Sequence, residues 1–414
     1  MTALYQVLGD IAVITLDHPP VNGLDLATRR AVVQALLRAQ SDGAVQAVVL
    51  DGAGRTFSGG ADIKEFGTDR AMQSPHLLDV IELIESFGKP VVAALHGAAM
   101  GGGLELALGC HYRVASAGTR LALPEVKLGL LPGAGGTQRL PRVLGVEAAL
   151  NLILSGEAVL AEAVARLPGQ KLLDLLVSDP QQLRDAAVSF ARSVAADRPL
   201  PQVRRLPAGH PQGAAFFQFA RNTARAMAPH VPAPLACVDA VEAATTRPFE
   251  AGLAYERERF MGLMYTPVSR ALRHVFLAER GTARIADVPD DTPRRPVLAV
   301  GVVGAGTMGS GIAVNFLDAG LPVALLESSA EALERGTAAV TRIFEGRVKK
   351  GKLSAEACTQ RLALLQPTLD DSDLGRADLL IEAVYEDFDV KAAVFRRLDA
   401  VAKPGAILAT NTST

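Results

Sequence analysis

The sequence of 414 residues contains no tryptophan, and aromatic residues make up only 5% of it. Proteins that bind single-stranded nucleic acid stack bases on aromatic side chains, so this composition disfavours that class. Lys and Arg number 42 against 44 Asp and Glu, which gives a formal net charge of −2 and no general attraction for phosphate backbones. We therefore expect no nucleic-acid partner.

Cysteine is equally scarce. Cys110, Cys237 and Cys358 lie far apart, are odd in number and fit no metal-ligand spacing. This usage favours a reducing compartment. Residues 1–20 also lack the basic and long apolar regions of a secretory signal. We expect a cytoplasmic protein that binds no metal.

Long apolar runs without charge are limited to residues 297–314, VLAVGVVGAGTMGSGIAV. The β-branched start and the dense glycines of this run indicate a buried strand that turns into a helix. They do not favour a lipid-facing helix. We expect no integral membrane contact.

The order of apolar patterns divides the chain into three parts. Residues 1–190 alternate short Val- and Ile-rich strands with helical patterns, which predicts an α/β domain. Residues 191–292 read as helices broken by proline-rich stretches, so we predict a helical linker region there. Strand and helix alternate again over residues 293–414, in the order of a Rossmann-type, doubly wound parallel sheet.

The third part begins with a glycine-rich turn. Gly304, Gly306 and Gly309 have GxGxxG spacing, follow a β-branched run and open a predicted helix. Glu327 ends the next predicted strand, where an acid binds ribose hydroxyls and disfavours a 2′-phosphate. The pattern predicts a dinucleotide site that prefers NAD to NADP.

A lone acid interrupts the small, apolar stretch GAAMGGGLELALGC at residues 97–110. Glu105 lies one helical turn after Gly102, whose N–H is free at the start of the helix. Glu125, within LALPEVKLGLLPGAGGTQRL (121–140), is a possible companion acid. Two carboxylates beside an N–H donor suit proton transfer next to a carbonyl. From spacing alone, a solvated or capping role for Glu105 stays open.

Three motifs together resemble the crotonase, or enoyl-CoA hydratase/isomerase, family: GGADIKEF (59–66), MGGGLELALGC (100–110) and LPEVKLGLLPGAGGTQRL (123–140). The resemblance covers about residues 1–190 and implies a crotonase-type ββα spiral domain. One departure is His111, where the family has Asp after Cys, and we leave it out of the site. The implied site consists of catalytic Glu105 and Glu125, oxyanion-hole N–H groups of Ala61 and Gly102, water-holding Gly133, and Lys64 near coenzyme A.

The third part resembles the NAD-binding domain of 3-hydroxyacyl-CoA dehydrogenases, with IEAVYEDFDVK (381–391) and ATNTST (409–414) as further matches. In that family the histidine and glutamate of hydride transfer follow the NTS serine. They would lie beyond Thr414, so we expect a partial domain that cannot oxidise its substrate. The implied residues are Gly304, Gly306, Thr307, Met308, Gly309, Glu327, Glu386 and Lys391 for NAD, and Ser413 for the substrate.

The order of these parts resembles the fused multifunctional enzymes of fatty-acid β-oxidation. It implies an enoyl-CoA hydratase that converts trans-2-enoyl-CoA, a coenzyme A thioester, to 3-hydroxyacyl-CoA. Two alternatives stay open. One is an enzyme whose main activity is Δ3,Δ2-enoyl-CoA isomerisation, and the other is a non-catalytic acyl-CoA-binding scaffold that docks a partner such as a thiolase.

Overall fold

The computed structural model describes residues 2–68, 70, 73–282, 285, 287–289 and 291–412. The chain folds into two compact units, residues 1–284 and residues 285–414. Among the described residues, every helix is too short or too polar to cross a membrane. The charge-free run at 297–314 forms a strand followed by a helix.

Parallel strands dominate the first unit. One sheet has the order β1-β2-β3-β4-β6-β9 and is parallel except for the β1–β2 pair. A small second sheet has the order β5-β7-β8. The strands are β1 (Ala3–Leu8), β2 (Ile11–Leu16), β3 (Ala47–Gly52), β4 (Val91–Leu95), β5 (Ala98–Met100), β6 (Tyr112–Ser116), β7 (Arg120–Ala122), β8 (Val159–Leu160) and β9 (Leu175–Val177).

Helices cover the large sheet on both faces, which is why its strands read as continuous apolar runs. Ile14 and Leu16 of β2 share a core with Val32, whereas Val13 faces the opposite side and packs with Ala187. The helices of this unit are α1 (Leu26–Ser41), α2 (Leu77–Glu85), α3 (Gly102–Gly109), α4 (Gly136–Leu144), α5 (Val146–Ser155), α6 (Ala161–Ala165), α7 (Leu183–Ser193), α8 (Ala214–Met227), α9 (Ala233–Thr246), α10 (Phe249–Met264) and α11 (Pro267–Gly281).

The helical region that follows residue 190 supplies part of the main core of the first unit. Phe217 of α8, Val238 of α9 and Phe260 of α10 are buried in the same apolar cluster as the strands. Helices α8 to α11 therefore belong to the compact unit that carries the carboxylate pair, and they do not stand apart from it as a separate spacer.

The second unit is a doubly wound parallel sheet, as the sequence predicts. Its strands follow the order β12-β11-β10-β13-β14, and all neighbours are parallel. This order places the switch point beside β10, where such folds bind dinucleotides. The elements are β10 (Val300–Val303), α12 (Thr307–Asp318), β11 (Val323–Leu326), α13 (Ala330–Lys349), α14 (Ala355–Leu362), β12 (Leu365–Thr368), β13 (Leu379–Glu382), α15 (Phe388–Val401) and β14 (Ile407–Thr410).

Candidate active site

The first unit contains a pocket of about 710 Å³, including its open mouth. The predicted residues Glu105, Glu125, Ala61, Gly102 and Gly133 all line it. The fold thus brings together five positions that are spread over more than seventy residues of sequence. The remaining wall is formed by Arg29, Asp62, Glu65, Phe66, His76, Leu77, Ala134, Arg257, Phe260, Met261 and Met264.

A glycine turn delivers Glu105 to this pocket. Gly101 lies between the short strand β5 and helix α3, where it caps the helix with φ +52°, a positive φ that favours glycine. A Cβ atom at this position would also lie 2.8 Å from Oε1 of Glu125. The turn therefore needs glycine both for its conformation and for the close approach of the second carboxylate.

Glu105 is buried, and its Oε1 atom accepts two backbone hydrogen bonds. The N–H groups of Ala134 and Gly136 each donate to it at 2.8 Å. Burial raises the pKa of Glu105, while these two donors oppose the rise because they favour the charged form. The carboxylate is held in a fixed position against the loop that precedes α4.

Glu125 begins a 3-10 turn, Glu125–Leu128, and is 9% exposed. Its Oε2 atom has no hydrogen-bond partner within the described part of the chain. Burial raises the pKa of Glu125 well above its ordinary value, and the nearby charge of Glu105 raises it further. Two carboxylates in neighbouring but unequal environments favour one protonated and one ionised group.

The N–H groups of Ala61 and Gly102 lie side by side at the pocket wall. A Cβ atom on Gly102 would lie 3.2 Å from the Ala61 nitrogen. In the described residues neither N–H donates to a protein acceptor. Gly102 is also the first residue of α3, so the positive end of the helix adds to the potential there. The pair has the chemistry of an oxyanion hole.

Gly133 lies against helix α10. A Cβ atom at this position would come within 2.5 Å of the Phe260 ring, so a larger residue would displace the helix or the loop. Lys64 is exposed on the 3-10 turn Ile63–Glu65, whose last residue lines the pocket. Its contact with coenzyme A stays a prediction.

Sequence reasoning missed Glu256, a fully buried acid on α10. It accepts hydrogen bonds from the N–H of Gly135 at 2.6 Å, and from the N–H and hydroxyl of Thr137 at 2.9 and 2.5 Å. Burial and the charge of Glu105 raise the pKa of Glu256 to about 8. The region treated as a linker therefore contributes a third buried carboxyl group beside the site.

A buried ion pair supports the same loop. Arg139 of α4 is fully buried and makes two hydrogen bonds to Glu85 of α2, at 3.0 and 2.8 Å. Its Nη1 atom also donates to the carbonyl of Ala134 at 3.2 Å. The guanidinium thus ties α2 and α4 to the loop that holds Glu105.

His111 lies outside the pocket and is 2% exposed. Its Nδ1 atom accepts a hydrogen bond from the N–H of Val91 at 3.0 Å, which joins the end of α3 to strand β4. Burial lowers the pKa of His111 to about 4. The residue is a neutral structural acceptor in the core.

We expect this histidine to make the fold acid-sensitive. The unfolded chain binds a proton near pH 6.5 and the folded chain near pH 4, so stability is full above pH 6.5 and falls as the pH drops through that window. The wild type should lose about 3 kcal/mol between these limits. His111→Asn keeps an acceptor for Val91 and should flatten the dependence in urea titrations. The exposed control His230→Asn should behave as the wild type.

The glycine-rich turn of the second unit has the geometry of a phosphate cradle. Gly304 follows β10 with φ +98°, and a Cβ atom there would lie 2.6 Å from the carbonyl oxygen of Ala383. A Cβ atom on Gly306 would meet open space instead. Thr307 begins α12, the side chains of Thr307 and Met308 are exposed, and Gly309 packs against Gly304. These residues fit a dinucleotide pyrophosphate at a helix N-terminus.

Glu327 follows β11 and lies beside this turn. Its Oε2 atom accepts a hydrogen bond from the N–H of Ala305 at 2.9 Å, and Ser328 donates to Oε1. Burial acts to raise the pKa of Glu327, but these hydrogen bonds outweigh it and the net shift is downward. The side chain is ionised at neutral pH, as a ribose-binding acid requires.

Glu386 and Lys391 lie past the end of β13. Lys391 pairs with Glu386 at 3.5 Å and with Glu382 at 2.7 Å. Glu382 is fully buried and was not singled out from the sequence. Ser413 lies outside the described residues. No group of three or more His, Cys, Asp or Glu side chains suited to a metal ion is found in the part of the chain described.

Two known families match the chain. Residues 7–204 match the enoyl-CoA hydratase/isomerase family, and residues 299–414 match the NAD binding domain of 3-hydroxyacyl-CoA dehydrogenase. The crystal structure of an enoyl-CoA hydratase/isomerase from Pseudoalteromonas atlantica shares the fold with a TM-score of 0.51. It is 20% identical and covers 67% of this chain and 98% of that one.

Several curated relatives are similar over nearly the whole chain. A peroxisomal bifunctional enzyme of Homo sapiens is 41% identical over 416 residues, which is 97% of this chain and 56% of that protein. A glyoxysomal fatty acid beta-oxidation multifunctional protein of Brassica napus is 38% identical over 421 residues, or 98% and 57%. The chain thus spans just over half the length of these relatives.

The predicted cytoplasmic location is wrong, because these relatives are named peroxisomal or glyoxysomal. Three free cysteines indicate only that no disulfide is needed, and they do not distinguish one compartment without disulfides from another. The predicted family and fold class are confirmed. The chain combines an enoyl-CoA hydratase/isomerase domain with a following 3-hydroxyacyl-CoA dehydrogenase NAD-binding domain, and it is homologous to the peroxisomal bifunctional enzymes.

Proposed function

We propose that the first unit hydrates trans-2-enoyl-CoA to 3-hydroxyacyl-CoA. The observation that carries this proposal is the meeting of two buried carboxyl groups, Glu105 and Glu125, with two side-by-side N–H groups in one pocket. Hydration needs all four, because a water must be activated, a proton delivered and a thioester oxygen stabilised.

The two glutamates take different roles in this mechanism. Glu105 is the hydrogen-bonded and ionised partner, so it accepts a proton from the water that attacks the β-carbon. Glu125 has the more strongly raised pKa and an unpartnered oxygen, so it delivers a proton to the α-carbon. The carbon–carbon double bond is consumed as the C–O and C–H bonds form, and Gly133 helps to hold the water.

The oxyanion hole of this reaction is formed by Ala61 and Gly102. As the water adds, negative charge moves onto the thioester oxygen, and the two N–H groups stabilise it more strongly than they stabilise the neutral carbonyl. The proposed subsite for the coenzyme A moiety lies near Lys64, on the exposed turn beside the pocket.

In the second unit we propose that Gly304, Gly306, Thr307, Met308 and Gly309 bind the pyrophosphate of NAD. Glu327 would accept hydrogen bonds from the ribose hydroxyls and repel the 2′-phosphate of NADP. When bound, NAD supplies a hydride acceptor for a 3-hydroxyacyl-CoA. Glu386 and Lys391 stay predicted cofactor-binding residues.

The alternatives need fewer of these groups. Isomerisation of a 3-enoyl-CoA requires one proton shuttle, and a scaffold with a docked thiolase requires no buried acid. Glu105 and Glu125 both line the pocket, which favours hydration over either alternative.

The test is direct. The chain should remove the conjugated enoyl-thioester absorbance of trans-2-enoyl-CoA and form 3-hydroxyacyl-CoA, and it should bind NADH more tightly than NADPH in a fluorescence titration. Binding of the enoyl-CoA without loss of absorbance would support the scaffold. Turnover of 3-enoyl-CoA without hydration would support the isomerase.

A further inference from the structure

The loop between Gly133 and Thr137 is held between two buried carboxyl groups on opposite sides. The N–H groups of Ala134 and Gly136 donate to Glu105 on α3. The N–H groups of Gly135 and Thr137, the alternate positions, donate to Glu256 on α10. Four successive backbone donors are therefore divided strictly in turn between the two acids.

This alternation couples the two acids mechanically. Consecutive peptide planes share an α-carbon, so fixing the amides of Gly135 and Thr137 also restricts the orientation of the Gly136 amide between them. That amide is one of the two donors to Glu105. The Thr137 hydroxyl adds a third hydrogen bond to Glu256, and Gln138 donates to that hydroxyl at 2.9 Å.

Glu256 is not among the residues that line the pocket, and its oxygens are taken up by the 135–137 backbone and the Thr137 hydroxyl. We propose that Glu256 is a positioning residue that clamps the 134–137 loop and so holds Glu105 in the geometry that hydration requires. This inference rests on the proposed hydratase function of the same site. It assigns a part in the reaction to helix α10, which lies outside residues 7–204 that match the hydratase family.

The charges around Glu256 come from four elements. Glu105 on α3, Glu125 on its 3-10 turn and Arg139 on α4 all interact with it, as does the thiol of Cys237 on α9. The charge of Glu256 contributes to the raised pKa of Glu125. This contribution requires ionised Glu256, which prevails above its pKa of about 8, so Glu256→Gln should lower the pKa of Glu125 in that range.

The decisive variant is Glu256→Gln in the full chain, with Glu258→Gln as its matched control. Glu258 lies two positions along the same helix and is exposed. Gln has only one oxygen to meet three donors, so the loop loses its clamp. We expect kcat to fall about 10- to 100-fold, the scale of a small misplacement, while KM stays within about threefold. The limb of the pH–rate profile set by Glu125 should move to lower pH. The Glu258→Gln control should match the wild type in kcat, in KM and in the pH–rate profile.

A second pair of variants covers the case in which Glu256→Gln fails to fold. Thr137→Ser keeps the hydroxyl donor and should retain kcat, whereas Thr137→Val removes it and should lower kcat by about threefold to tenfold, a single lost hydrogen bond. Amide hydrogen exchange of a peptide that spans residues 133–137 gives a readout that does not depend on activity. Exchange should be faster in Glu256→Gln and Thr137→Val than in their controls.

The outcomes separate the two proposals. If the wild type hydrates no enoyl thioester, the proposed function fails, whatever the exchange data show. If the wild type is active and Glu256→Gln keeps its kcat and pH profile, the positioning role is wrong. Equal loss of kcat in Thr137→Ser and Thr137→Val would also overturn it.

Discussion

Glu105→Gln and Glu125→Gln should each lower kcat for trans-2-enoyl-CoA hydration by a factor on the order of 10² to 10⁴. Gln at position 105 cannot accept the proton of the attacking water, and Gln at position 125 cannot deliver one to the α-carbon. The measurement is the initial rate of loss of enoyl-thioester absorbance at saturating substrate. Glu147→Gln, an exposed change on α5, is the control and should keep the wild-type rate.

The stability of the two glutamine variants shows whether a loss of rate comes from the chemistry or from a damaged fold. Oε2 of Glu125 has no hydrogen-bond partner among the described residues, and folding raises the pKa of this group well above its ordinary value. Folding therefore costs free energy at neutral pH that a neutral amide does not incur. Glu125→Gln should be at least as stable as the wild type. An unchanged rate in either glutamine variant would remove that residue from the mechanism.

Arg139→Met should lower the free energy of unfolding of the first unit by about 3–5 kcal/mol, because it leaves Glu85 as a buried charge without its main partner. Four of the five tyrosines lie in this unit, so tyrosine fluorescence during urea denaturation reports its unfolding.

Two comparisons sharpen this expectation. Lys127→Met breaks an exposed pair with Glu157 and should cost only about 0–1 kcal/mol. The double variant Glu85→Leu/Arg139→Met removes both charges and should be more stable than Arg139→Met alone. A single variant within about 1 kcal/mol of the wild type would show that the pair does little for the fold.

The parts of the site that the sequence predicts are those encoded by local pattern. Gly102 and Glu105 lie within one helical turn, and the glycines around them indicate that another group approaches the backbone closely there. The parallel sheet of the second unit is also predictable from local pattern. Strands and helices alternate along the sequence there, and the crossover between parallel strands is almost always right-handed. The residues alone suggest Glu125 as a companion of Glu105, whereas only the resemblance to a known family adds Ala61 to the site.

Glu256 could not be predicted in this way. It stands in the run YERERF, where its neighbours Arg257, Glu258 and Arg259 make it look like one of several solvated charges. Its partner Gly135 is 121 residues distant in sequence. Only the packing of α10 against the loop shows that this acid points inward and its neighbour Glu258 outward. Glu382 escaped notice similarly, since its partner Lys391 lies on the following helix.

Helix α10 also has a consequence for the engineering of chain-length selectivity. Phe260 and Met264, one and two helical turns beyond Glu256 on the same side of the helix, line the pocket, and Met261 lines it as well. In the proposed hydratase, helix α10 therefore carries both part of the pocket wall and the proposed positioning residue of the 134–137 loop. Substitutions that reshape the pocket wall by shifting α10 should therefore change the turnover rate as well as the chain-length selectivity.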